Sequence, residues 1–355
     1  MMRISISPDG KSVGGCAVDF KKDKSVTQAN PSVKDDTTIS SIAGSSTVST
    51  AMAIGDVTAL LGRVIDEVGT VFLGRDAAIE MALICVLADG HLLIEDTPGS
   101  GKTSLSASVA QVLGLDFKRV QCTNDLLPAD ITGLSIFDRD TGQFVLRKGP
   151  VFTQLLLADE LNRAPSKTQS ALLQAMEERK VTIDKDTLDL PKPFLVIATQ
   201  NPAEQIGTFD LPESQLDRFS LSMDIGRPDH ATQLDILAGR QNAAPDALTP
   251  VIDTEGLLGL QSYVRQIVAG APVMGYILRL ADMLESLTPI SLSVRFRSQL
   301  LGLAQAHAVV KGRDFVAPDD VQAMFAAAVR HRMTRVEPGA KAELITSAIA
   351  RTDLP

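Results

Sequence analysis

Residues 91–103, HLLIEDTPGSGKT, constrain this chain more than any other stretch. Leu92, Leu93 and Ile94 make a short apolar run of the kind a parallel strand covered on both faces requires. Pro98, Gly99, Ser100 and Gly101 break that strand without favouring a helix, so a loop follows. Lys102 and Thr103 open a helix in which Leu105, Val109, Val112 and Leu113 recur at helical spacing. Backbone N–H groups of such a loop, with the positive end of the following helix, form an anion site. The spacing is the phosphate-binding pattern G-x-x-x-x-G-K-[ST]. In that pattern Lys102 reaches β- and γ-phosphates and the Thr103 hydroxyl holds magnesium, while Pro98, Gly99, Ser100, Gly101 and Ser104 complete the cradle. Asp96 stands where the first glycine belongs. A carboxylate is unhelpful near phosphates, and a non-glycine restricts the turn.

A second anchor lies at residues 155–165, LLLADELNRAP. Three leucines and an alanine form a buried strand that delivers two adjacent acids, Asp159 and Glu160, at its carboxyl end. Open parallel sheets bind ligands at that edge. Buried carboxylates without partners are costly, so this strand end needs a cation or hydrogen-bond donors. Asp159 is expected to hold magnesium, directly or through water, and Glu160 to polarise the attacking water as general base. A third apolar run, residues 194–200, ends at Asn201. An asparagine beside the two acids can orient the water and sense the γ-phosphate. An asparagine before proline is also a common turn residue, and the residues alone leave both readings open. Arg218 lies between a helix end at 215–219 and an alternating fifth strand through Leu221, Met223 and Ile225. A lone arginine is usually a surface residue. It gains a role only where subunits meet edge to edge and it reaches a neighbour's γ-phosphate.

The chain has 355 residues, room for two domains and a sizeable core. Its formal charge of −9 makes the whole chain a poor non-specific nucleic-acid binder. The three cysteines, Cys16, Cys85 and Cys122, lie far apart without metal spacing, which points to a reduced, cytoplasmic protein. No apolar run approaches a membrane span of roughly 18 residues, and the N-terminus has no signal-peptide apolar block. Residues 1–52 are rich in Ser, Thr, Lys, Asp and Gly and lack apolar periodicity, so a flexible tail is expected. The tail could instead fold on a partner. An amphipathic helix follows from Ala53 through Val57, Leu60, Leu61, Val64, Ile65 and Val68. A short extended piece at 71–74, ending in Gly74, then precedes a second helix. In nucleotide-binding folds of this order that piece often touches the base, although a plain connector fits the spacing as well. Residues 117–123 alternate as a strand. Hairpins are expected at 135–148, around Asp140-Thr141-Gly142, and at 181–190, with a helix over 166–178 between them. From Pro228 strands vanish, and helices are expected at about 229–240, 253–268, 273–287, 293–311 and 319–333. Arg295 opens the fourth of these behind a Ser293 cap and could fold over the nucleotide.

The stretches EDTPGSGKT, DLLPADITG, GPVFTQLLLADELNRAPSKTQSALLQAMEE, ATQNPAEQIGTFDLPESQLDRF, YILRLADML and KGRDFVAPDDV resemble the MoxR family of AAA+ ATPases over about residues 55–335. The resemblance implies an α/β nucleotide-binding core over 53–226: a five-stranded parallel sheet between helices, with helix-2 insert and pre-sensor hairpins. A C-terminal helical lid domain over 227–355 would follow. It implies ATP and Mg2+ as ligands, Lys102 and Thr103 as the phosphate-loop pair, and Asp159 and Glu160 as the metal and water-activating pair. By the same resemblance Asn201 is the first sensor, Arg218 the trans-acting finger and Arg295 the second sensor, with Arg297 the weaker rival because Val294 replaces the family's usual proline. Asp at position 96 is tolerated in that family. A hexameric ring is implied, with hairpins facing its pore. So is an ATP-driven, chaperone-like remodelling of a protein client, often with a von Willebrand factor A domain partner. The alternatives are a motor stimulated by nucleic acid and a scaffold that binds nucleotide only to assemble.

Overall fold

The computed structural model describes residues 53–97, 99–201, 207–238 and 244–355; the tail expected over 1–52 lies outside them. The chain opens with α1 (Ile54–Gly69) and α2 (Asp76–Leu87), then β1 (Leu92–Glu95), α3 (Lys102–Val112) and β2 (Phe117–Gln121). A short α4 (Pro128–Thr132) leads into the hairpin β3 (Gly133–Asp138) and β4 (Gln143–Lys148). Next come β5 (Leu155–Asp159), α5 (Ser166–Glu178), the hairpin β6 (Lys180–Ile183) and β7 (Asp186–Asp189), and β8 (Leu195–Gln200). The α/β part closes with α6 (Glu213–Leu216) and β9 (Leu221–Met223). Among the described residues the named elements that follow are helical: α7 (His230–Leu237), α8 (Thr254–Arg265), α9 (Ala271–Leu287), α10 (Val294–Val310), α11 (Pro318–Val329) and α12 (Pro338–Arg351).

Five strands form one sheet in the order β2-β5-β8-β1-β9, every pair parallel. Period-two alternation divides their side chains between two faces. Leu92, Ile94, Leu155, Leu157, Leu195 and Ile197 pack toward α1, α2 and α3. Leu93, Leu156, Ala158, Val196 and Ala198 pack toward Leu172, Leu173 and Met176 of α5. The first of these cores continues without a break into the helical part, through Leu257 and Leu260 of α8 and Phe296, Leu300 and Leu303 of α10. The helical part therefore shares apolar surface with the α/β part and is not hung from it by a linker.

Three departures from the sequence expectations have local causes. Residues 71–74 are a turn, not an extended piece: the N–H groups of Val71 and Phe72 donate back to Val68 O at 3.1 and 2.9 Å, and Phe72 is buried. The last expected helix breaks after Val329 into a 3₁₀ turn, Arg330–Arg332, because Arg332 is drawn inward. Its guanidinium donates to Asp217 Oδ1 at 3.0 Å, Phe219 O at 2.8 Å and Gln299 Oε1 at 2.6 Å, and lies over the Phe296 ring. Helices α4 and α12 were not anticipated, the first being a single turn and the second lying beyond the last apolar period recognised. No helix among the described residues is long and apolar enough to cross a membrane.

His91, at the entry to β1, ties three elements together. Its Nδ1 accepts from Val196 N–H of β8 at 3.0 Å and its Nε2–H donates to Met176 O of α5 at 3.3 Å. Burial, then the nearby Arg179 charge, pushes its pKa down to about 3. His331 is lowered well below its usual value, again first by burial and then by Arg332. Both rings are neutral when folded, while the unfolded chain takes up protons below about 6.5. Their contribution is therefore complete above that value and is lost as pH falls toward about 3 for His91. Calorimetric melting should show a falling midpoint between about pH 7 and about pH 5, with a shallower slope in His91→Asn. Parallel slopes for the two proteins would contradict this account.

Candidate functional site

The parallel sheet brings the carboxyl ends of β1, β5 and β8 side by side, with Glu95 opposite Gln200 and Asp159 opposite Gln121. After β1 the chain enters the glycine loop. Gly99 and Gly101 have φ of +81° and +91°, where L side chains are strained. A Cβ on Gly101 would also lie 2.9 Å from the Phe72 ring and 3.0 Å from Arg75 Nη1. Arg75 sits 4.6 Å over that ring and donates to Ser100 O, so the turn at 71–74 braces the loop from behind. The Lys102 amine folds back on the loop, donating to Asp96 O at 2.6 Å and Thr97 O at 3.0 Å. Asp96 is engaged at the start of the loop. Its carboxylate accepts from the N–H groups of Thr97 at 2.6 Å and Ile225 at 3.1 Å, pinning the end of β1 to the chain after β9. That is a physical reason for an aspartate where the pattern has glycine.

β5 is buried along its whole length and ends in Asp159. Asp159 Oδ1 accepts from Thr199 Oγ1 at 2.6 Å; Oδ2 accepts from Arg119 Nη2 at 2.6 Å and Nε at 3.2 Å. Glu160 follows at a φ of +55°, a left-handed position that few non-glycine residues adopt. Such outliers persist where surrounding bonds hold them. Here Glu160 N–H donates to Thr199 Oγ1 at 2.8 Å, and its carboxylate accepts from Gln121 Nε2 at 2.9 Å and Arg163 Nη1 at 3.2 Å. Gln121 in turn accepts from Arg119 Nη2 at 2.8 Å, so a hydrogen-bonded chain runs from one acid to the other. The Cys122 thiol nearby is pushed up to about 12 by burial and by the charges of Asp159 and Glu160, which leaves it without thiolate character.

A cavity of about 370 Å³ is lined by Gly99, Gly101, Lys102, Thr103 and Ser104 together with Asp159, Glu160 and Asn201. Arg119, Gln121, Thr199 and Gln200 complete it. Of the expected nucleotide-binding residues, Ser100 is not part of this lining and Pro98 lies outside the described residues. Gly74 is also outside the lining. Its φ is +67°, and a Cβ there would lie 2.6 Å from Thr232 Oγ1 of α7, so close packing accounts for the glycine.

Arg218 and Arg295 occupy a different place. Both line a cavity of about 360 Å³ with His91, Met176 and Glu177. Arg218 Nη2 and Nε meet Glu177 Oε2 at 2.7 and 2.9 Å, and Arg295 Nη2 donates to Glu177 Oε1. Burial alone would raise the Glu177 carboxyl, but the hydrogen bonds from Arg295 and Arg218 more than offset it and its pKa is lowered. Arg295, expected at its own chain's nucleotide, lies against α5 in this structure: α10 packs against α1 and α2, and its first turn delivers Arg295 to Glu177. Arg297 is engaged elsewhere, with Asp282 at 2.8 Å and Glu285 at 3.5 Å.

Fit to a metal-bound triphosphate rests on donor chemistry. Among the described residues no three His, Cys, Asp or Glu side chains gather as a metal cage. Two adjacent carboxylates and the Thr103 hydroxyl beside a lysine suit magnesium, which binds through one or two carboxylates and keeps waters and substrate phosphates as its other ligands. The left-handed glycines and the start of α3 are of the kind that suits phosphates, which bind N–H groups at a helix N-terminus. Arg119, Gln121 and Thr199 were missed by sequence reasoning. The only signal was the alternation 117–121, which places Arg119 and Gln121 on one side of a strand without saying what they face.

A family profile described as "ATPase family associated with various cellular activities (AAA)" matches residues 91–221, and one described as "AAA lid domain" matches residues 292–351. The chain is 43% identical over 301 residues to the uncharacterised protein YeaC of Bacillus subtilis, covering 83% of this chain and 93% of that one. It is 37% identical over 284 residues to chaperone MoxR1 of Mycobacterium tuberculosis, covering 77% and 75%. A crystal structure described as that of a "putative ATPase" from Cytophaga hutchinsonii superposes with a TM-score of 0.76 at 33% identity, covering 85% of this chain and 97% of that one.

Thr199 is the shared partner of Asp159 and the Glu160 N–H. Thr199→Val keeps the shape and leaves both groups without it, at a cost of about 1–3 kcal/mol. Chemical denaturation of the two proteins should show that difference. A stability equal to wild type would mean that Thr199 does not hold the pair.

Proposed function

Because the chain belongs to the MoxR family of AAA+ ATPases, we propose that it is a ring-forming motor that uses ATP hydrolysis to remodel or mature a protein partner. In this reading the loop N–H groups and Lys102 hold the β- and γ-phosphates. Thr103 and Asp159 hold magnesium, which supplies charge neutralisation on those phosphates. Glu160 takes the proton of the attacking water as the γ-phosphoryl passes to it, leaving ADP and phosphate. Asn201, at the end of β8 beside both acids, orients that water. Arg218 and Arg295 act on the nucleotide of a neighbouring subunit.

One observation carries the trans assignment: the two arginines sit together in a cavity that contains none of the phosphate-loop residues of their own chain. A cation that stabilises phosphoryl transfer must touch the phosphate, so these two need another copy. A hexamer is the assembly the family resemblance favours. A protein client is supported by the first hairpin, where Ile136, Phe137, Phe144 and Val145 are exposed and Phe137 stacks edge-on to Phe144 at 5.4 Å. Apolar side chains of this kind suit a protein partner better than a phosphate backbone. The chaperone name of the mycobacterial relative agrees with that reading. A partner with a von Willebrand factor A domain is proposed on the family resemblance, and the cytoplasm because ATP is supplied there.

In the Glu160→Gln variant ATP binding should survive while turnover falls by about 10²–10⁴; normal turnover would remove Glu160 from the role of base. Wild-type turnover per chain should rise steeply with protein concentration as subunits assemble. Arg218→Ala should abolish that rise, since a finger supplied by a neighbour contributes about 10³–10⁵ in rate. Unchanged turnover at all concentrations would refute the trans assignment. Stimulation by DNA and not by protein clients would favour the nucleic-acid motor. ATP-dependent assembly without turnover would favour the scaffold.

A further inference from the structure

We infer that Arg119 is a built-in counter-ion for Asp159 that a divalent cation displaces on binding with nucleotide, so that Arg119 sets the cation affinity of the site. The inference rests on reading Asp159 as the metal carboxylate. Asp159 is almost fully buried at the end of a buried strand, and an unpaired carboxylate there is costly. One of its oxygens is taken by Thr199, and the other by Arg119 through Nη2 and Nε. A guanidinium placed on that oxygen from two nitrogens bars a cation from the same position by contact and by like charge. Arg119 can nevertheless leave. It projects from β2, the edge strand of the sheet, and its side chain is 47% exposed against 11% for Asp159. A half-exposed arginine returns to water at small cost, whereas Asp159 has no such exit. Among the described residues no three acids, histidines or cysteines are grouped so as to hold a metal ion, so a cation has no alternative protein cage that would let Arg119 stay.

The contribution of such a pair is at most about 1 kcal/mol. Its removal should therefore tighten cation binding by up to about fivefold. The experiment follows Mn2+ binding to the full chain by electron paramagnetic resonance at saturating ADP, in wild type, Arg119→Ala, Arg119→Lys and Asp159→Asn. Half-saturation should move to lower Mn2+ in Arg119→Ala. It should fall between the two in Arg119→Lys, which keeps the charge but loses the two-nitrogen contact. Metal-free binding of a fluorescent ADP should be the same in wild type and Arg119→Ala. An unchanged or higher half-saturation in Arg119→Ala overturns the inference, as does a loss of metal-free ADP binding, which would make Arg119 a phosphate ligand. Asp159→Asn separates the two levels of the argument. If it binds Mn2+ as wild type does, the reading of Asp159 fails. If it weakens Mn2+ while Arg119→Ala has no effect, only the counter-ion role fails.

Discussion

Two adjacent carboxylates at the end of a strand with no solvent along it are the constraint on which the rest of this structure depends. β5 is buried from Leu155 to Asp159, and the sheet continues on both sides of it. Charge in that position is tolerated only with partners. The neighbouring strands provide them: Thr199 from β8 on one side, Arg119 and Gln121 from β2 on the other. Because all five strands run the same way, β1 opens at the same edge and its glycine loop joins the site. The cavity is thus a consequence of parallel pairing, with left-handed backbone at Gly99, Gly101 and Glu160.

The same packing that makes the site separates the two arginines from it. α10 buries Phe296, Leu300 and Leu303 in the core shared with α1 and α2. Its first turn consequently lies against the end of α5, where Glu177 meets Arg295 and Arg218 together. The Arg332 cluster with Asp217, Phe219 and Gln299 fastens this arrangement from the other side. The two arginines thus lie together beside Glu177, in a cavity that contains none of the phosphate-loop residues of their own chain.

Legibility followed physical range. Strands β1, β5 and β8 were readable because burial on both faces demands unbroken apolar runs, and the hairpins because turn residues sit between alternating stretches. The turn at 71–74 was not readable. Its backbone is bent by hydrogen bonds to Val68 and by burial of Phe72 against Gly101, contacts that no local pattern announces. Asp96 looked like a defect in the loop and is instead a clasp, because its partner Ile225 lies far along the chain.

The residue types and spacings by themselves determined the class of fold, the glycine loop that leads into Lys102 and Thr103, and the pair of acids at a strand end, since each depends on local periodicity or on chemistry within a few neighbouring residues. Only the tertiary structure decided what those acids touch. Arg119 and Gln121 come from a strand about 40 residues away, Thr199 from another. It also decided where Arg295 goes. A helix places a side chain by the face it buries, and which surface that face meets is a property of the folded core and not of the helix.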